Sequence, residues 1–331
     1  MRIAVDAMGG DHAPADVVLG ALEASRSFGI PVGLVGRPER IEPFLTQANT
    51  AGADYVVIEA SEEIGPDEKP AQAVRQKRLS SIVVGVETVR LGQTDAFVSA
   101  GNTGALMTAS LLGLGKIMRR PALGVVLPTL SGKPLLLLDA GASVDARPED
   151  LLEYALAGSL YAEQVLRRRE PTVALLNIGS EEGKGNELVR TAYELLKQAE
   201  VRFVGNIEGR DLIAGTVDVV VCDGFVGNIA LKVIEGVGTG VFSLLRDELG
   251  KGFQTRLGGF LVHERMRSVA RRLDYATYGG APLFGVRGPV IKCHGSSRAL
   301  AVRNGVRVAH DYVACGAVHS MEDALRREGG A

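Results

Sequence analysis

The sequence predicts an α/β protein with a mostly parallel sheet sandwiched between helices in three α/β/α layers. Short apolar runs alternate with helical stretches along nearly the whole chain, the order that parallel strands and their crossover helices require. Runs such as Ala96–Ser99 are short and largely apolar, as befits strands covered on both faces. Several of the strand ends run into turns marked by glycine and rich in Asn, Asp, Ser, Lys or His. Ligands in such sheets bind where strands end and helices begin.

Taken in order, Arg2–Asp6 reads as a strand, followed by the turn Met8-Gly-Gly-Asp-His-Ala-Pro14 and a helix through Phe28. Val32–Val35 is a second strand, and Pro38–Gln47 a short helix with proline near its start. A third strand covers Tyr55–Glu59, and one long helical stretch covers Ala71–Leu91. The strand Ala96–Ser99 leads through Ala-Gly-Asn-Thr-Gly104 into a helix ending near Leu114. Gly101 and Gly104 let the backbone turn tightly, Asn102 and Thr103 are natural helix caps, and the helix start offers amides to an anion. Leu123–Leu127 and Leu135–Asp139 are further strands, then Pro148–Arg169 a helix and Thr172–Ile178 a strand. Helix Glu187–Gln198, strand Val217–Asp223 and helix Phe225–Leu249 continue the alternation, and strand Val290–Cys293 with helix Ser297–Cys315 closes it. No tandem repeat or linker divides the chain, so residues 1–331 are expected to form a single unit with room for a cleft between two lobes.

Composition narrows the class. With 331 residues and 46% apolar content the chain can bury a substantial core. Cys222, Cys293 and Cys315 are scattered and odd in number, which fits a reducing compartment and matches no zinc pattern. The charged start Met1-Arg-Ile-Ala-Val-Asp6 is no signal peptide, and no uncharged apolar run reaches the ~20 residues of a membrane span. A cytoplasmic protein is expected. Residues 251–307 hold eleven Lys/Arg against two acids, a balance of +9 that leaves −11 for the remainder. Such a basic surface on a mildly acidic protein points to an acidic partner or an anionic surface rather than to nucleic acid.

Familiar catalytic signatures are missing. No stretch fits G-x-G-x-x-G after a strand; Gly179-Ser-Glu-Glu-Gly-Lys-Gly185 has the wrong spacing for a P-loop; and Phe97 stands where a nucleophile elbow would need glycine. Six polar glycine junctions remain, at Gly9, Gly101, Gly141, Gly179–Gly185, Gly224 and Gly295. Together they predict a broad anion-binding site without a covalent nucleophile.

The motifs VDAMGGDHAP, SAGNTGAL, LLDAGA, LLNIG with Glu-Glu-Gly-Lys-Gly-Asn186, FVGNIEGRD, CDGFVGN, GGAPLFG and HGSS, in this order, resemble the bacterial phosphate acyltransferases from Arg2 to about Val308. Ser143, where that family more often has Asn, and Ile82, where Met is usual, depart from it. The resemblance implies a fold similar to phosphotransacetylase and the isocitrate/isopropylmalate dehydrogenases. It also implies transfer of a fatty acyl group from acyl carrier protein to inorganic phosphate, giving acyl phosphate for phospholipid synthesis. A homodimer without metal or cofactor is implied too, in peripheral contact with the membrane and supplying a membrane glycerol-phosphate acyltransferase. Phosphate is itself a competent nucleophile, so the enzyme needs only to hold a dianion against a thioester and stabilise the oxyanion. Lys184, Asn228 and His294 are the expected catalytic residues. Gly9, Gly10, Asp11, Gly101, Asn102, Thr103, Gly104, Asn186 and Ser296 are the expected phosphate site, while Asp6, Asp139 and Asp223 orient backbone amides. The alternatives are an NAD-dependent dehydrogenase of related fold and a non-catalytic binder of acyl carrier protein or lipid.

Residues 251–273 read as a basic amphipathic helical hairpin. Leu257, Phe260 and Leu261 surround a glycine pair as a tip, and Val262, Met266, Val269 and Leu273 form one helical stripe. Arg265, Arg267 and Arg271 lie between them. The segment is expected to dock on acyl carrier protein or the bilayer surface, the alternative being a helix buried in a dimer interface.

Overall fold

The structure is a computed structural model that describes residues 1–249, 251, 258, 262, 264–266 and 278–328. The chain begins with β1 (Ile3–Asp6), α1 (Ala15–Phe28), β2 (Val32–Gly36), α2 (Pro38–Gln47) and β3 (Tyr55–Glu59), followed by α3 (Pro70–Gln76) and α4 (Ser81–Arg90). Next come β4 (Ala96–Ser99), α5 (Thr103–Gly113) and β5 (Ala122–Leu123). A second series runs β6 (Val125–Leu127), β7 (Leu135–Leu138), α6 (Pro148–Gln164), β8 (Thr172–Leu176), α7 (Glu187–Gln198), β9 (Arg202–Ile207), α8 (Asp211–Ala214), β10 (Val219–Val221) and α9 (Gly224–Leu249). The chain then returns with β11 (Ala281–Phe284), β12 (Val290–Lys292), α10 (Ala299–Ala314) and α11 (Ala317–Glu328).

These strands are shared between two mostly parallel sheets, ordered β3-β2-β1-β4-β12-β11-β5 and β6-β7-β10-β8-β9. Only β11, β5 and β6 run antiparallel to their neighbours. The expected α/β class holds. The chain passes between the sheets at Gly124, whose N–H donates to the Pro282 carbonyl at 3.0 Å. A side chain there would come within 2.5 Å of the Phe284 ring. One apolar core spans both sheets, including Val98 and Ile291 of the first and Leu136 and Val219 of the second. At its centre Tyr161 of α6 meets Phe284 and Tyr312 edge-on, with ring centroids 5.3 and 5.4 Å apart. Edge-to-face geometry of this kind contributes about 0.5–1.5 kcal/mol per pair beyond area burial.

Three expectations change. Leu123–Leu127 is not one strand, since β5 ends at Leu123, β6 begins at Val125, and the two belong to different sheets. The stretch Ala71–Leu91 is two helices, not one, because Lys77 leaves the helical path and its ammonium turns back to Glu68 Oε1 (2.6 Å) and the Glu63 carbonyl (2.8 Å). Ser80 Oγ then donates to the Lys77 carbonyl, and α4 starts afresh. The helix expected to reach Arg169 stops at Gln164, and Arg167 and Glu170 adopt positive φ beyond it.

α9 is anchored by its first turn. Gly227 packs so closely on the loop after β7 that a Cβ would lie 1.9 Å from the Asp139 carbonyl oxygen. Phe225 in this first turn, and Ile229, Val233, Val237, Val241 and Leu244 beyond it, are exposed along the helix. Gly227→Ala is therefore expected to destabilise the protein by about 1–3 kcal/mol through overpacking, measured as a loss of denaturant midpoint at unchanged slope. An unchanged midpoint would show that the contact is slack.

Candidate active site

Three adjacent strands of the first sheet end in polar residues. Asp6 closes β1, Ser99 closes β4 and Lys292 closes β12, with Lys292 paired in register to Ser99. All three are buried. Ser99 Oγ donates to Asp6 Oδ2 at 2.6 Å and accepts from the Gly101 amide at 3.0 Å. Its hydroxyl is thus committed to shaping the turn. The Met8 amide also donates to Asp6, at 3.1 Å. Burial raises the Asp6 pKa above the usual carboxylate range, while these hydrogen bonds and the Lys292 charge hold it down. Burial lowers the Lys292 pKa, and the charges of Asp6 and Asp11 oppose that fall.

The turns that follow lie against one another. The Asp11 amide donates to the Gly295 carbonyl at 2.8 Å and the Cys293 amide to the Ser99 carbonyl at 2.9 Å. Gly10 needs its positive φ of 102° and sits against Ala100 and Gly295. At Gly9 a Cβ would lie 2.3 Å from the Asp6 carboxylate and 2.6 Å from the Gly101 nitrogen. The expected junctions at Gly9–Asp11, Gly101 and Gly295, the last of which precedes Ser296, therefore converge.

Other expected residues prove to be occupied elsewhere. Asn102 caps α5 by accepting from the Ala105 amide at 3.0 Å, and its Nδ2 donates to the Gly65 and Pro66 carbonyls. Gly104 is required by packing, since a Cβ would lie 2.5 Å from Pro70. Asn186 caps α7 by accepting from the Val189 amide. Lys184 is exposed on the loop after β8, where its carbonyl accepts from Asn177 Nδ2.

A cavity of about 360 Å³ opens beside the strand ends. It brings together Thr103, Asn228 and His294 from the expected set, and Lys184 is not among its lining residues. Lys232, Glu235 and Lys292 also line it, and the sequence reading missed all three. Lys232 follows Asn228 by one helical turn, so the i, i+4 spacing was the signal that pointed to it. Leu123, Val125, Val126 and Leu231 supply apolar lining. Lys232 and Glu235 pair at 2.7 Å.

His294 stands on the rim. Its Nδ1 meets the Ser296 amide at 3.2 Å and the Ser296 hydroxyl at 2.8 Å. Burial first, and then the Lys232 and Lys292 charges, lower its pKa, against Glu235 and Asp11.

The remaining strand-end carboxylates shape loops. Asp139 accepts from the amides of Leu123, Gly141, Ala142 and Ser143, and Asp223 from those of Phe225 and Val226. Ser143 is buried and donates to the Pro121 carbonyl. Of the expected docking residues, Arg265 is exposed; Leu257, Phe260, Leu261, Arg267 and Arg271 lie outside the described residues.

Comparison with known proteins places this geometry. A phosphotransacetylase from Streptococcus pyogenes superimposes with a TM-score of 0.66 at 17% identity, covering 96% of this chain and 94% of its own. A 4-hydroxythreonine-4-phosphate dehydrogenase from Klebsiella pneumoniae gives 0.54 at 15% identity, covering 94% of this chain and 99% of its own. The architecture is thus that of the phosphotransacetylase and dehydrogenase-like folds. A family model described as "Fatty acid synthesis protein" matches residues 1–320. A phosphate acyltransferase of Heliobacterium modesticaldum is 52% identical over 316 residues, 95% of this chain and 94% of its own. Another, from Desulfitobacterium hafniense, is 51% identical over 330 residues, 99% of this chain and 98% of its own. The chain belongs to this fatty acid synthesis protein family and is an acyltransferase of lipid biosynthesis.

The electrostatics of His294 can be measured directly. Its pKa is expected below the ordinary value of about 6.5, so the ring is neutral above that pH and gains its proton only on further acidification. In an NMR titration, Lys232→Met should raise the value and Glu235→Gln should lower it further. A wild-type value above 6.5 would contradict the arrangement.

Proposed function

We propose that the enzyme transfers a fatty acyl group from acyl carrier protein to inorganic phosphate, forming acyl phosphate for phospholipid synthesis. The observation that carries this reading is the cavity itself, which is lined by Lys292, His294 and Asn228 together with the apolar Leu123, Val125, Val126 and Leu231. The polar groups suit an anion and the apolar ones an acyl chain. The relatives named phosphate acyltransferase support the same acceptor.

In this reading a phosphate oxygen attacks the thioester carbonyl carbon and a C–O bond forms. The carbonyl oxygen takes the negative charge, which the Asn228 amide stabilises by donating a hydrogen bond. The C=O bond then re-forms as the C–S bond breaks, and the departing thiolate takes the proton that hydrogen phosphate brought in. Loss of one donor to such an oxyanion costs about 2.7–4 kcal/mol, so Asn228→Ala should lower kcat by about a hundredfold or more. The test of the function is incubation with acyl-acyl carrier protein and inorganic phosphate, reading acyl phosphate by hydroxylamine trapping. Phosphate-dependent product is expected; thioester loss without acyl phosphate would overturn the assignment.

The same proposal includes a cytoplasmic homodimer. Its support is the exposed apolar line along α9, a surface of the kind that marks an interaction site. Val233→Glu with Val237→Glu should convert a dimer to monomers in sedimentation velocity, and a dimer that persists would remove α9 from the interface. The basic stretch containing the exposed Arg265 is the proposed docking surface for acyl carrier protein. Peripheral membrane contact through Leu257, Phe260 and Leu261, with delivery to a membrane glycerol-phosphate acyltransferase, completes the reading.

A further inference from the structure

We propose that Lys292 is the residue that holds the phosphate nucleophile in the cavity. The inference rests on the function proposed above and adds a substrate-binding residue to it.

Lysine is almost never buried without a partner, yet Lys292 is 8% exposed and still lines the cavity. Its ammonium donates to the carbonyl of Cys293. Among the described residues it makes no ion pair, although Asp6 ends a strand only two places away in the sheet. Asp6 is already engaged by Ser99 Oγ and the Met8 amide. The lysine thus keeps hydrogen-bonding capacity that no protein group uses, since an ammonium carries three donors. A lysine retained only to neutralise Asp6 would be ion-paired with it.

The other cations at the cavity are less suited to gripping a dianion. Lys232 is bound to Glu235 at 2.7 Å, and half of its side chain is exposed. His294 accepts a backbone hydrogen bond at Nδ1, so its neutral ring offers one donor. Lys292 also lies within the electrostatic influence of Asp6 and Asp11, two carboxylates that would repel phosphate if no cation stood with them. A buried ammonium interacts with an anion far more strongly than an exposed one, because the local dielectric is low. Lys292 keeps its proton throughout: the phosphate oxygen forms the new C–O bond, the thiolate leaves, and the ammonium binds the remaining phosphoryl oxygens.

The experiment compares wild type, Lys292→Met and Lys292→Arg by calorimetric titration with inorganic phosphate alone, and then by steady-state kinetics and thermal melting. Methionine keeps the length and removes a buried charge, a change cores often tolerate. Lys292→Met should raise the Kd and KM for phosphate about 100-fold, leave the KM for acyl-acyl carrier protein essentially unchanged, and melt near wild type. Lys292→Arg should recover part of the phosphate affinity. Unchanged phosphate affinity in Lys292→Met, with a lowered melting temperature, would overturn the proposal and leave the lysine a structural role. Should Lys292→Met fail to fold, Lys292→Arg decides by pH. The groups facing the ammonium are Asp6 and Asp11 from the β1 side, Cys293 and His294 on its own strand and turn, and Lys232 and Glu235 from α9. The wild-type Kd should weaken as pH rises and the lysine loses its proton, whereas the arginine variant should hold its Kd to higher pH. Coincident pH curves would overturn the proposal. Phosphate binding is read without an acyl donor, so failure of wild type to make acyl phosphate would condemn the proposed function and leave this test standing.

Discussion

Everything at the candidate site depends on how the two sheets are joined. The polypeptide crosses between them at Gly124, where the Phe284 ring leaves no space for a side chain. Phe284 is also the partner of Tyr161, which belongs to the helix covering the second sheet. One ring therefore fixes both the crossing and the packing that spans it. The cavity inherits this constraint directly: Leu123 and Val125 flank the crossing, Lys292 and His294 come from the first sheet, and Asn228 and Leu231 come from the helix leaving the second. A change in the angle between sheets would separate those groups before it disturbed either sheet alone.

Within that frame, buried carboxylates at strand ends act as local templates. Asp6, Asp139 and Asp223 each accept backbone amides from the turn that follows, and Asp139 accepts four. A carboxylate can satisfy that many donors because it offers about four lone-pair sites, and a buried one must do so to offset desolvation. This explains how acidic residues can stand beside the proposed anion site without defeating it. Their charge is spent on amides. At Asp139, burial still raises the pKa while the amides pull it down, so the carboxylate is held by geometry more than by solvation.

The fold was legible wherever burial and periodicity agreed. Short, largely apolar runs such as Ala96–Ser99 and Tyr55–Glu59 became strands with those bounds. β9 escaped because Gly205 interrupts it at a φ of 96° and its register with β8 shifts nearby. β11 escaped because Pro282 argues against a strand, although its carbonyl rather than a missing N–H is what the neighbouring chain uses. The site was half legible. Glycine junctions marked the converging turns, but sequence alone could not tell a glycine kept for a ligand from Gly104, kept for Pro70. Nor could it separate a lysine on an exposed loop, Lys184, from one at a buried strand end, Lys292, since burial of a charged residue leaves no periodic trace.

The cationic groups form a gradation that follows from solvent access. Arg265 is exposed, Lys232 is half exposed and tied to Glu235, and Lys292 is almost fully buried. Outer charges are screened within about 10 Å at 0.1 M salt, so they attract an acidic partner broadly and release it readily. The inner charge is screened little and confined in position, so it can discriminate by geometry. A protein whose two proposed substrates are an acidic carrier and a small dianion has reason to separate these functions in depth. Strong attraction at the surface would hold the carrier too long, and weak attraction at the floor would leave the nucleophile unplaced. The burial of Lys292 and the exposure of Arg265 are then two consequences of one requirement.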